Sequence, residues 1–283
     1  MPQPPPLDKE VRGALGAFIA SVCIPILYDH ETKGTHQVGT GTLFILGNRL
    51  FLVTAGHLFD DFDPQNDQER LGRFAIPSRH TRQLWSLGPY NLLLPKEKQY
   101  DVAALELHEP ATIERAKASW RILTLANTAN AAPAGLFILC GFPEVRERQV
   151  GSAAITGDRL TVFTARIPIP ANADEPVHPT VDLFFAYDEE AIDVVTRTPI
   201  RSLPLQGCSG ASIWQYQEPT PNVFWTPERS LKIVGVQCAY RRGQYFRAIT
   251  WGAVLEIMRQ TDDRLAAIVT EHKSQLLKSD DRE

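Results

Sequence analysis

None of the four cysteines, at positions 23, 140, 208 and 238, has a neighbour at the spacing of a zinc knuckle or a CxxC redox pair. That spacing excludes the common metal and dithiol motifs. A chain of 283 residues can also bury a core without disulfides, so reduced thiols and a cytoplasmic location are expected. Charge of one sign is lacking too. The 29 lysines and arginines stand against 33 acids, and a net charge of −4 offers no polybasic surface to nucleic acid or an anionic membrane. The apolar stretch 13–27 is too short to span a bilayer. Asp8 and Glu10 precede it and no small-residue cleavage pattern follows, so a short helix running into a first strand over 21–28 is expected instead of a signal segment.

What is abundant points to β-structure. The 21 prolines and 18 glycines are spread along the chain, which suits many short strands joined by turns. A proline-rich start over 1–10 reads as an extended tail. Strands are predicted over 39–46 and 50–54 around a turn at 47–49, then at 72–76, 83–87 and 100–107, with a polar loop at 60–70. The segment 108–132 is a connector with a helical turn near 113–119. A second β-rich half has strands at 136–140, 181–187, 232–238 and 245–250, and a hairpin built from 153–155 and 159–167. From 252 the apolar period becomes helical, with a break near 261–263.

Chemistry concentrates in Gly207-Cys208-Ser209-Gly210. Two glycines permit a tight turn that presents a hydroxyl beside its own backbone N–H groups, as acyl transfer requires. A serine is inert at neutral pH without a base, and His57, at the end of the strand 50–54, is the residue type for that task. The other six histidines (30, 36, 80, 108, 178 and 272) read as surface or satisfied core residues. An acid is needed to orient the imidazole. Asp101 opens a strand and is preferred over Asp60, Asp61 and Asp63, which fall in a polar loop.

Thr54-Ala55-Gly56-His57, Asp101-Val102-Ala103 and Gly207-Cys208-Ser209-Gly210, in this order, resemble the three signature blocks of the chymotrypsin-like (trypsin-like) serine peptidases, here as a divergent, bacterial-type member. The resemblance runs from about residue 21 to the last helix. It implies an all-β fold of two packed antiparallel barrels of six-stranded type, closed by a C-terminal α-helix. The implied organisation is a flexible tail over 1–12, a first barrel over 13–125 with His57 and Asp101, a second over 126–251 with Ser209, and a helix over 252–283.

By the same resemblance Ser209 is the nucleophile, His57 the base and Asp101 its orienting acid, with the N–H groups of Gly207 and Ser209 forming an oxyanion hole. Leu203, Gln206 and Tyr240 line the primary substrate pocket. With no acid at its floor, a small or apolar residue before the cleaved bond is expected. No metal or organic cofactor is implied. The partners are a protein or peptide substrate and a possible regulatory protein, and neither nucleic acid nor membrane.

The sequence also departs from the family. Where the digestive relatives carry an aspartate that pairs with a newly cut N-terminus, this chain has Cys208, so its turn must be ordered by other means. Cys238 stands where the family often has a serine near the aspartate. Two alternatives stay open: a catalytically silent pseudo-protease used as a binding or scaffold module, and a hydrolase using Cys208 as nucleophile.

Overall fold

The runs of β-branched and aromatic residues predicted as strands are strands in the computed structural model, which describes residues 7–32, 34–63, 66–81, 83–96, 100–149, 155–192, 198–218 and 224–280. The first sheet contains β1 (Ile24–His30), β2 (Gly34–Leu46), β3 (Arg49–Thr54), β4 (Phe74–Pro77), β5 (Leu84–Ser86), β6 (Tyr90–Leu93) and β7 (Ala103–Leu107). Their order is β5-β4-β1-β2-β3-β7-β6, all antiparallel.

The second half brings β8 (Phe137–Gly141), β9 (Glu147–Gln149), β10 (Ile155–Gly157), β11 (Leu160–Thr164), β12 (Arg166–Ile167), β13 (Asp182–Ala186), β14 (Glu190–Ile192), β15 (Pro199–Arg201), β16 (Ser212–Tyr216), β17 (Leu231–Arg241) and β18 (Tyr245–Thr250). Seven of them form a sheet in the order β11-β8-β16-β17-β18-β13-β12, while β9–β10 and β14–β15 are separate hairpins. Each main sheet thus has seven strands, one more than the six-stranded barrels expected. The extra members are short edge strands, where pairing ends without a sharp chemical signal.

Alternation assigns each face of a strand to a core. Leu43, Leu50, Leu52, Leu105 and Leu107 fill the first barrel. Their neighbours Phe44, Phe51, Val53 and Ala104 face a larger core shared with Trp214, Ile233 and Trp251 of the second half. The N-terminal helix α1 (Lys9–Val22) joins this shared core through Leu15, Phe18, Ile19 and Val22, and the Phe18 ring meets Trp214 edge-on at 5.7 Å. Asp8 starts the helix by accepting the Glu10 N–H. The helix begins at Lys9, inside the stretch 1–12 expected as a tail; residues 1–6 lie outside the described residues. Residues 153 and 154 of the expected hairpin also lie outside them, and its two arms do not pair with each other: Ile155 belongs to β10, which pairs with β9, while β11 pairs with β8 at the edge of the second sheet.

Three short α-helices follow: α2 (Gln68–Leu71), α3 (Pro110–Ser119) in the connector, and α4 (Pro227–Ser230). The C-terminal helical segment is two helices, α5 (Trp251–Arg259) and α6 (Asp263–Asp280). The break falls where Asp262 caps the Leu265 N–H at 2.8 Å and receives Arg49 from the first barrel. No helix among the described residues is long and apolar enough to cross a membrane.

Candidate active site

Strand β2 makes the junction between the two halves, and the site is built on it. Thr40 N–H donates to the Ser209 carbonyl at 2.8 Å, Thr54 Oγ1 donates to the Thr40 carbonyl at 2.8 Å, and the hydroxyls of Thr42 and Ser212 hydrogen-bond across the interface. Gly210 fits this junction because it has no side chain. Its φ is +89°, and a methyl there would collide with the Thr40 carbonyl and Thr54 Oγ1. The serine turn is thus pressed against the end of β3, from which the chain runs through Ala55 and Gly56 to His57. Leu58 and the Ser209 carbonyl both border Gly39.

Strand β7 begins just after Asp101, and its pairing with β3 sets Ala103 opposite Thr54. That register brings Asp101 to His57. Asp101 Oδ2 accepts from His57 Nδ1 at 2.8 Å, and Oδ1 accepts the His57 backbone N–H at 2.8 Å. The His57 side chain is 38% exposed and that of Asp101 24%. Partial burial opposes the charged imidazole and is the largest influence on it. The hydrogen bond and charge of Asp101, with the charge of Asp60, outweigh burial and raise the His57 pKa above its ordinary 6.5. Of the rival acids, Asp60 acts on the ring through its charge, whereas Asp101 makes the contact.

An imidazole bonded at Nδ1 keeps Nε2 for proton transfer. Among the described residues, the hydrogen bonds of the His57 ring and N–H end on Asp101, and none reaches the Ser209 hydroxyl. Such bonds commonly tighten only when substrate is bound.

The turn offers two backbone donors. Its carbonyls are engaged: Gln206 O accepts Glu144 N–H at 2.7 Å, and Cys208 O accepts Ala211 N–H at 2.8 Å. In a planar trans peptide the N–H points opposite to the C=O. Gly207 N–H and Ser209 N–H therefore face away from those partners, and among the described residues neither donates to a protein acceptor. Gly207, at φ +86°, is a second position that only glycine fits. A methyl there would lie 2.6 Å from the Phe142 carbonyl and 2.7 Å from Glu144 N.

Both cysteines near the site are inert packing groups. Cys208 is wholly buried beside Gly141 and Ala211, and burial pushes its thiol far above the ordinary range. Cys238 is an extra residue between the paired Gln237 and Ala239, a bulge in β17. Its thiol donates to the Arg247 carbonyl at 3.5 Å, and burial, reinforced by the charge of Asp101, pushes it up to about 12. All four cysteines are free and buried.

The predicted pocket residues are brought together in part. Tyr240 Oη donates to Gln206 Oε1, while Leu203 is half-buried and its carbonyl is held by Tyr187 Oη. Glu189 pairs with Arg201 at 3.0 Å on an exposed surface. A cleft of about 420 Å³ lies elsewhere, lined by Tyr100, Arg166, Thr250, Glu256 and Lys273 among others, and none of residues 57, 101 and 209 lines it. Sequence reasoning did not identify Gln37 and Thr40, both of which reach the serine turn.

No protein-family model matches the chain, and no curated protein matches it. Among solved structures, the scabies mite inactivated protease paralogue S-I1 is similar at a TM-score of 0.50, with 12% identity over 86% of this chain and 96% of that one. A structure from work on the coupled folding and binding of the Sesbania mosaic virus VPg protein is similar at a TM-score of 0.44, with 11% identity over 81% of this chain and 87% of that one. The strand order and the likeness to the mite protein together establish the architecture: two curled antiparallel sheets with C-terminal helices, the chymotrypsin-like double-barrel fold.

Proposed function

We propose that this protein is a serine endopeptidase, a divergent bacterial-type relative of the chymotrypsin-like enzymes. Ser209 attacks the peptide carbonyl, His57 takes the serine proton and later gives it to the leaving amine, and Asp101 holds the imidazole in the required tautomer. The N–H groups of Gly207 and Ser209 receive the developing oxyanion. A single observation carries this reading: the Asp101 carboxylate grips both the ring and the backbone of His57 at 2.8 Å. A merely surface histidine has no need of that double anchor.

Further features support the same reading. The serine turn abuts the strand end leading to His57, and its two amides have no described protein acceptor. Cys208 cannot supply the salt bridge that activates digestive relatives, so zymogen cutting is not part of the scheme. Leu203, Gln206 and Tyr240 would receive a small or apolar residue before the cleaved bond. Four unpaired thiols accord with a reducing, cytoplasmic compartment, where a confined substrate or a regulatory protein would restrain cutting.

A second reading, a catalytically silent protein used as a binding module, is favoured by two observations. The Ser209 hydroxyl makes no described bond to His57, and one structural neighbour is itself an inactivated protease paralogue. Incubation with a peptide library separates the two. Cleavage by wild type but not by Ser209→Ala supports the peptidase, and no cleavage by folded wild type supports the module.

A further inference from the structure

The three consecutive peptides of the serine turn are all anchored, and the middle one is held from the other barrel. The Gly207 carbonyl accepts from Thr40 Oγ1 at 2.9 Å and from Gln37 Nε2 at 3.2 Å. The same Gln37 Nε2 donates to the Phe142 carbonyl. Phe142 N–H in turn donates to Thr40 Oγ1 at 3.2 Å. Gln37 is only 7% exposed, and its own backbone N–H donates to Glu147 Oε2 at 2.9 Å. A bulge next to it sets this aim: Ile26 pairs with Gly39 and Leu27 with Gln37, so Val38 is the extra residue. Bulges of this kind redirect a side chain beside a site.

The segment from Phe142 to Glu144 is the one whose Glu144 N–H fixes the Gln206 carbonyl, and hence the direction of the Gly207 N–H. One carboxamide thus spans the two pieces of backbone whose mutual contact aims an oxyanion donor. We propose that Gln37 is a positioning residue for the oxyanion turn, holding the Phe142 and Gly207 carbonyls together so that the Gly207 and Ser209 N–H groups stay turned toward the substrate carbonyl. The proposal rests on the peptidase reading above for its catalytic consequence, but the clamp itself is a property of the backbone. It supplies what Cys208 cannot, an anchor for the turn that requires no cut N-terminus.

The test uses Gln37→Met, which keeps the side-chain bulk and removes both N–H donors, with Gln37→Glu as a second variant should the first fold poorly. In the full chain the clamp predicts a kcat lowered about 10²-fold with KM within about twofold, the pattern of a donor used in the transition state. Binding of a peptide boronic acid, which forms the tetrahedral oxyanion on the serine, weakens by the same factor as kcat/KM falls, whereas a purely structural role leaves that ratio untouched. Backbone amide NMR tests the clamp apart from activity. The Gly207 and Ser209 resonances shift or broaden in the variants, while those of distant strands such as β4 do not. Unchanged amides, or a variant with wild-type kcat, overturn the proposal. A wild type that hydrolyses nothing, with amides that still respond to the substitution, overturns the peptidase reading and leaves the clamp standing.

Discussion

The Asp101 carboxylate binds His57 at two points, through the ring Nδ1 and through the backbone N–H, both at 2.8 Å. The first contact selects the tautomer and the second fixes where the ring hangs from the chain. Asp101→Asn should therefore fold normally and lower kcat about 10⁴-fold, the order expected when the orienting acid of such a triad loses its charge. Burst kinetics with an activated ester would measure it, and a loss below about tenfold would remove Asp101 from the mechanism.

The pH dependence follows from the same pair. In the proposed mechanism the base must be neutral to accept the serine proton, so activity should fall as pH drops through the His57 pKa. That pKa is raised, and the acid limb of kcat/KM should lie above 6.5 in wild type and move down in Asp101→Asn. Stability has the opposite sign. A raised pKa in the folded state means protonated His57 favours the fold, a contribution fully present below the unfolded value and lost as pH rises through the folded one.

At Gly210, both the positive φ and the collision of a methyl with Thr40 and Thr54 argue against any side chain. Gly210→Ala should abolish detectable turnover, because the turn must back away from β2 and β3. It should also destabilise the fold, by about 1–3 kcal/mol for a strained left-handed position plus overpacking. Urea denaturation with a parallel activity assay checks both. Retained activity would mean that the serine turn tolerates displacement from His57.

Cys208 is fully buried, with its thiol held protonated by burial. Cys208→Ala should keep catalysis within about threefold and cost no more than about 1–2 kcal/mol for the small void left beside Gly141. Loss of turnover in Cys208→Ala, together with retention in Ser209→Ala, would make this protein a cysteine hydrolase.

Glu106 is buried in β7, and Arg49 clasps it with Nε and Nη2 while also reaching Asp262 ahead of α6. Burial of the Glu106 carboxylate works against its charge. The bonds from Arg49 and Asn91, with the Arg49 charge, outweigh it and hold the pKa below the usual carboxylate value. Arg49→Ala strands that carboxylate and should cost about 3 kcal/mol, the low end for breaking a buried pair, since the Arg49 side chain keeps 28% exposure. The contribution from Glu106 is present above its unfolded pKa and lost as pH falls through the folded one. Denaturation of wild type and variant should therefore converge at low pH, and a constant gap would contradict this assignment.

Much of the architecture was legible because burial left a pattern. Leu50-Phe51-Leu52-Val53-Thr54 is buried on both faces and reads as a strand, so His57 could be placed at its end. The hairpin of β14 and β15 was missed because its residues are mostly exposed and carry no alternation, and β6 is likewise a half-exposed edge. Helix α1 begins earlier than the apolar run suggested, since its first turn is polar and only Asp8 signals the cap. Gln37 left no trace in the sequence. A single polar residue in a strand cannot announce a bond to a carbonyl 170 positions away.

The most direct measurement is covalent. Folded wild type treated with a fluorophosphonate should gain one phosphonyl group, located on Ser209 by peptide mass spectrometry, at a rate that falls as His57 is protonated. The adduct should vanish in Ser209→Ala and persist in Cys208→Ala. A wild type that remains unmodified, or an adduct on any other residue, contradicts the assignment of Ser209 as the nucleophile.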